Sequence, residues 1–89
     1  MSMTVNLVRR GFFLDSVALM RISRTVAELP NIEDAALMMG TPSNKQIMRD
    51  ASLLTDDGEA AVGGDLILGV RGANTAATNA AIATAGELL

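Results

Sequence analysis

Cysteine, histidine, tyrosine and tryptophan are all absent from this chain. Without cysteine there is no disulfide, thiolate nucleophile, iron–sulfur ligand or cysteine zinc site. Without histidine as well, no serine triad, cysteine–histidine pair or imidazole metal site can be built. Carboxylates, hydroxyls and a single lysine, Lys45, are left for chemistry. Catalysis is therefore not expected from these residues alone, and neither a metal nor a cofactor is expected in this segment. The aromatic residues are Phe12 and Phe13, neither placed to stack a base, and the formal charge is −3 with the arginines scattered. Phosphate-backbone binding needs cations gathered on one face, so nucleic acid is not an expected partner. No apolar stretch approaches the roughly 20 residues that span a bilayer. The N-terminus lacks the basic head and apolar run of a secretory signal. A membrane is thus not an expected partner, and the cytoplasm is the default location.

What is present is one domain's worth of chain. Its 89 residues are 49% hydrophobic, drawn mainly from Ala, Leu, Val, Ile and six Met. A domain of this size buries only about 60–65% of its unfolded surface, so its stability margin is thin. Flexible Met and small aliphatic side chains fill a core without many rigid anchors. Such a domain is expected to lean on a partner surface, and a homo-oligomer is one form this can take.

Along the chain, Val5 and Leu7 alternate with Thr4, Asn6 and Val8, a period of two that predicts a strand closed by Gly11. Asp15 or Ser16 caps a predicted helix running to about Leu29, with Leu14, Val17, Ala18, Ile22, Val26 and Leu29 as its buried stripe. Pro30-Asn31 stops it. A second strand is predicted over 35–39, ending at Gly40. Thr41-Pro42 then offers a hydroxyl N-cap followed by proline at the first helical position. Ile47, Met48, Ala51 and Leu54 form a narrow apolar face on this second helix. Residues 55–64 hold Asp56, Asp57, Glu59 and three glycines and predict a solvated connection, in which Ala60-Ala61-Val62 suggests a short edge strand. Leu66-Ile67-Leu68-Gly69-Val70 is the unbroken apolar run of a strand buried on both faces. Gly72 ends it, and Asn74 caps an alanine-rich helix.

The order is β-α-β-α-β-α, an α/β fold. The favoured architecture is a two-layer ferredoxin-like sandwich with an extra helix and its last strand missing. The alternative is a three-stranded parallel half of a doubly wound sheet.

Two strand-to-helix corners are candidate binding sites. At Gly40-Thr41-Pro42-Ser43-Asn44-Lys45, a helix start with two hydroxyls and the lone lysine can attract a phosphate or carboxylate. A plain helix cap is the competing reading, and the glycine spacing is not that of a Walker loop. Gly69-Val70-Arg71-Gly72-Ala73-Asn74 offers a second corner with Arg71 as its cation. Parallel strands would bring the two corners together, whereas the sandwich would put them at opposite ends. Asp56, Asp57 and Glu59 resemble a hard-cation cluster, but their spacing is not that of a calcium loop, and solvated turn residues are the simpler reading. Arg9 and Arg10 read as a basic turn, and Met38-Met39 as core.

Three stretches carry a family resemblance: Arg10-Gly11-Phe12-Phe13-Leu14-Asp15-Ser16-Val17 with Leu19-Met20, then Met38-Met39-Gly40-Thr41-Pro42-Ser43-Asn44-Lys45, then Leu66-Ile67-Leu68-Gly69-Val70-Arg71. Together they resemble the N-terminal region of FdrA-type proteins, acyl-CoA synthetase-like relatives of the succinyl-CoA synthetase α subunit. The resemblance covers nearly the whole chain. It implies an N-terminal accessory domain, residues 1–89, of a longer protein in which CoA or a nucleotide binds elsewhere. It further implies partner subunits and an oxamate carbamoyltransferase-type complex in allantoin breakdown. The ligase family's phosphorylatable histidine and nucleotide-binding glycine loop have no counterpart here, so no catalytic residue carries over. A stand-alone anion-binding module is the alternative function.

Overall fold

A computed structural model describes residues 2–89. The elements run β1 (Met3–Arg9), α1 (Ser16–Ala27), β2 (Ile32–Met39), α2 (Pro42–Asp50), α3 (Asp56–Glu59), β3 (Leu66–Gly72) and α4 (Thr75–Leu88). Each long helix begins at a side-chain cap. Asp15 accepts from the Ala18 N–H, Thr41 from Asn44 and Asn74 from Ala77. These contacts satisfy orphan donors of each first turn.

The three strands form one sheet in the order β1-β3-β2, with β3 antiparallel to both neighbours. This is the ferredoxin-like arrangement without its last strand, and it overturns the parallel alternative. The reason lies in the connection. Met39, the last residue of β2, is the register partner of Leu66, the first of β3. The intervening residues leave and re-enter the sheet at one end, so β3 must run back between β1 and β2.

Strand alternation divides the core in two. Leu66, Leu68 and Val70 join Leu19, Ile22, Val26, Leu37, Ala81 and Ala85 under α1 and α4. Ile67 faces the other way and meets Met48, Leu53 and Ala61 from the α2–α3 segment. The extra helices therefore cover the second face of the sheet, and β3 is apolar throughout because both faces are sealed. Gly69 lies on that second face, where a Cβ would run into the Leu53 carbonyl. The chain passes too close for any side chain there.

Several local expectations shift. The buried stripe of α1 is Leu19, Ile22 and Val26, while Val17 is 57% exposed. With Asp15 as the cap, Val17 sits in the first turn, two residues before Leu19 and on the far side of the helix. β2 begins three residues before the predicted start, taking in Ile32, Glu33 and Asp34 across an irregularity in the register. Residues 56–59 form a short helix, and no strand forms at 60–62. Ala61 instead points into the second core. Val5 and Leu7 face one core and Val8 the other, as their alternation requires, and Met38 and Met39 split the same way. Among the described residues, no helix is long and apolar enough to cross a membrane.

Candidate functional site

Three loops converge at the sheet end where β1 and β2 finish and β3 begins, and Asp65 ties them together. Its Oδ1 accepts from the Gly11 N–H at 3.0 Å and its Oδ2 from the Val62 N–H at 3.1 Å. Its carbonyl accepts from the Gly40 N–H at 2.8 Å. One residue thus holds the β1–α1 loop, the α3–β3 loop and the β2–α2 corner. The two N–H donors, Val62 first and then Gly11, hold the Asp65 carboxyl below its ordinary pKa, with Arg10 and Lys45 adding to the effect. Sequence reading missed this residue, because an isolated aspartate after two glycines carries no spacing signal.

The predicted Gly40–Lys45 corner is built beside this clamp. Gly40 is buried, and a Cβ there would approach the Val62 carbonyl oxygen to 2.6 Å. The Thr41 hydroxyl accepts from the Asn44 N–H at 3.2 Å, and the Asn44 amide donates to the Met39 carbonyl at 2.9 Å. Lys45 Nζ donates to the Glu59 carbonyl at 2.8 Å, joining α2 to α3. Ser43 is exposed. Of the six corner residues, Thr41 and Asn44 are thus committed to capping, while the Ser43 hydroxyl and the outer side of the Lys45 ammonium face solvent.

Arg71 is not part of this cluster. It lies on β3 at the opposite end of the sheet, where it donates to the Ala51 carbonyl and sits 3.4 Å from Glu33. The two predicted corners are therefore at opposite ends, as the sandwich demands. Glu33 is drawn below its usual pKa, first by the Ser2 hydroxyl and then by Arg71.

The acidic triplet is also dispersed. Glu59 pairs with Arg49 at 2.6 Å, which lowers its pKa, while Asp56 and Asp57 start α3. Among the described residues, no group of three or more acidic, histidine or cysteine side chains is placed to hold an ion. Arg9 stacks over Phe12, 5.7 Å from the ring centre, and Arg10 is exposed. Beside it an open cleft of about 670 Å³ runs along β1, lined by Asn6, Val8, Arg10, Asp57, Val62 and Asp65.

Comparison with known proteins gives a family match over the whole chain. Residues 1–89 match the family described as AllF, heavy metal-associated domain. The chain is 35% identical over 65 residues to the uncharacterized protein YahF of Escherichia coli strain K12, a span covering 73% of this chain and 13% of YahF. The chain thus corresponds to about an eighth of that relative's length. No solved structure matches it.

The family description names heavy metals, and the residues here do not fit one. Soft and borderline metals take thiolate, thioether or imidazole ligands, and of these the chain has only the thioethers of methionine. Of the methionine thioethers among the described residues, Met48 is sealed in the core, Met38 and Met39 point to opposite faces of the sheet, Met20 is exposed on α1, and Met3 Sδ on β1 accepts from the Thr75 hydroxyl.

Proposed function

Since the chain belongs to the AllF heavy metal-associated domain family, we propose that it is an N-terminal accessory domain serving assembly in a longer, allantoin-related cytoplasmic protein. The observation that carries this reading is the contrast between a complete core and a catalytic repertoire reduced to carboxylates, hydroxyls and one lysine. Both sheet faces are packed, yet no histidine or cysteine is present. The resemblance to FdrA-type proteins supports a parent of acyl-CoA synthetase-like construction. Within that parent, an oxamate carbamoyltransferase-type complex is the assembly proposed, with any CoA or nucleotide bound by other domains.

The exposed part of the Gly40–Lys45 corner is the proposed contact for an acidic group of the parent or of a partner subunit. Ser43 offers a hydroxyl and Lys45 the only ammonium side chain on the surface, close to a helix start that favours negative charge. Arg71, tied to Glu33 and Ala51, serves the opposite end and is proposed only as a second partner contact.

The test uses the longer protein with and without this domain. Removing the domain is expected to lower the mass of the complex seen by native mass spectrometry. Unchanged assembly would refute the accessory role. Lys45→Ala is expected to weaken binding of the remaining domains about fivefold at low salt, the scale of one exposed ion pair. Calorimetric titration reads this directly, and equal affinity would reduce the corner to a helix cap.

A further inference from the structure

The two edges of the sheet are treated differently by the rest of the chain. On β2, the Leu37 N–H donates to the Ser23 hydroxyl of α1 at 2.9 Å and the Ala35 N–H to the Asp34 carboxylate at 2.9 Å. The Met39 carbonyl accepts from Asn44. The odd positions of β2 thus face outward, and the Ala35 and Leu37 N–H groups and the Met39 carbonyl already have partners within the chain. Ala36 and Met38 face β3 opposite Gly69 and Ile67. Leu66, Leu68 and Val70 then face β1 opposite Arg9, Leu7 and Val5. This alternation leaves the backbone groups of Thr4, Asn6 and Val8 facing outward on β1.

Among the described residues, no protein group meets those three N–H donors or their carbonyls. Of the usual protections of an edge strand, β1 has only the charge of Arg9 at its end, with no proline, no lysine and no register irregularity over its seven residues. It lies where the missing strand of the sandwich would pair, and the cleft lined by Asn6, Val8 and Arg10 opens along it.

We infer that β1 is a strand-pairing interface for a second copy of this chain, the two β1 strands running antiparallel about Asn6 to make one six-stranded sheet. An isologous twofold contact needs a self-complementary edge, and β1 supplies one. Pairing about Asn6 sets the outward groups of Thr4 against those of Val8 of the second copy. It also sets Arg10 beside Ser2 of the second copy. Ser2 holds the Glu33 carboxylate through its hydroxyl, at 2.6 and 2.8 Å. The Arg10 end of each strand therefore comes near the Glu33 carboxylate of the other, which is shared there with Arg71.

This interface deepens the assembly reading, and the two fail separately. A monomeric domain whose removal still disrupts the longer protein keeps the accessory role and loses this interface. Sedimentation of the 89-residue chain, 9.3 kDa as a monomer, is expected to show a doubled mass as concentration rises. Amide hydrogen exchange at Thr4, Asn6 and Val8 is expected to slow over the same range, while the odd positions of β1 stay unchanged. Arg10→Glu, at an exposed site, is expected to raise the dimer dissociation constant at least fivefold. Val8→Pro, which removes an outward donor, is expected to abolish dimerisation, and far-ultraviolet circular dichroism checks that it still folds. A chain that stays monomeric to about 1 mM, the weak end of specific association, would overturn the inference. So would a dimer whose exchange at Thr4, Asn6 and Val8 does not depend on concentration.

Discussion

Asp65 shows how much of this domain's order rests on one carboxylate. It accepts from Gly11 and Val62 through separate oxygens. Asp65→Asn keeps one acceptor but turns the other into a donor that faces an N–H. The variant is expected to melt several degrees below wild type at neutral pH. The folded-state pKa is lowered from the ordinary 3.8, so the carboxylate's contribution is fully present above that value. It is lost as the pH falls through the lowered folded value. Melting curves of wild type and variant should therefore converge in acid. A constant gap down to the most acidic pH that leaves the protein folded would contradict the account.

At the scale of elements, α2 decides whether the second sheet face is sealed. Met48 is fully buried against Ile67 and Leu53, while its neighbour Ile47 is 52% exposed. Met48→Ala is expected to cost about 2–5 kcal/mol, and Ile47→Ala within about 0.5 kcal/mol. Denaturant titration separates them. Similar losses at both positions would mean that α2 does not pack as described.

The elements themselves were largely legible in the sequence. The Thr41-Pro42 and Asn74 caps, the alternation of β1 and the apolar run of β3 each act within a few residues, where propensity and pattern are strongest. The phase of α1 was legible from Leu14, Ile22, Val26 and Leu29, which do face the core, but not at Val17 and Leu19, which are equally apolar so that only the sheet beneath chooses between them. The candidate corner was legible as a place but not as a geometry. Thr41 and Lys45 were visible in the chain, whereas the clamp that surrounds them comes from Asp65, twenty residues beyond Lys45. Whether the two corners lay together or apart depended on strand direction, which no local pattern encodes.

At the scale of the molecule, the family's heavy-metal description and this chain's donor set disagree. Added zinc(II) or copper(I) is expected to leave the melting temperature unchanged, since a ligand stabilises only the state that binds it. Stoichiometric metal retained through desalting would show that carboxylates and thioethers assemble a site after all.

The central position of β3 has a consequence for the order of events during synthesis. β1 and β2 are neighbours in sequence but never touch as ladders, for each finds its hydrogen-bond partner only in β3. Until residue 66 emerges, a growing chain holds two strands with nothing to pair with and three helices with no sheet to cover. A ribosome-bound chain whose residues up to 65 have cleared the exit tunnel should therefore remain as sensitive to protease as an unfolded one. Protection should arrive in a single step within the next dozen or so residues, once β3 and the first turn of α4 are free of the exit tunnel. Long-range closure of this kind is slow relative to local helix formation, and the nascent domain stays exposed for nearly its whole length before it folds.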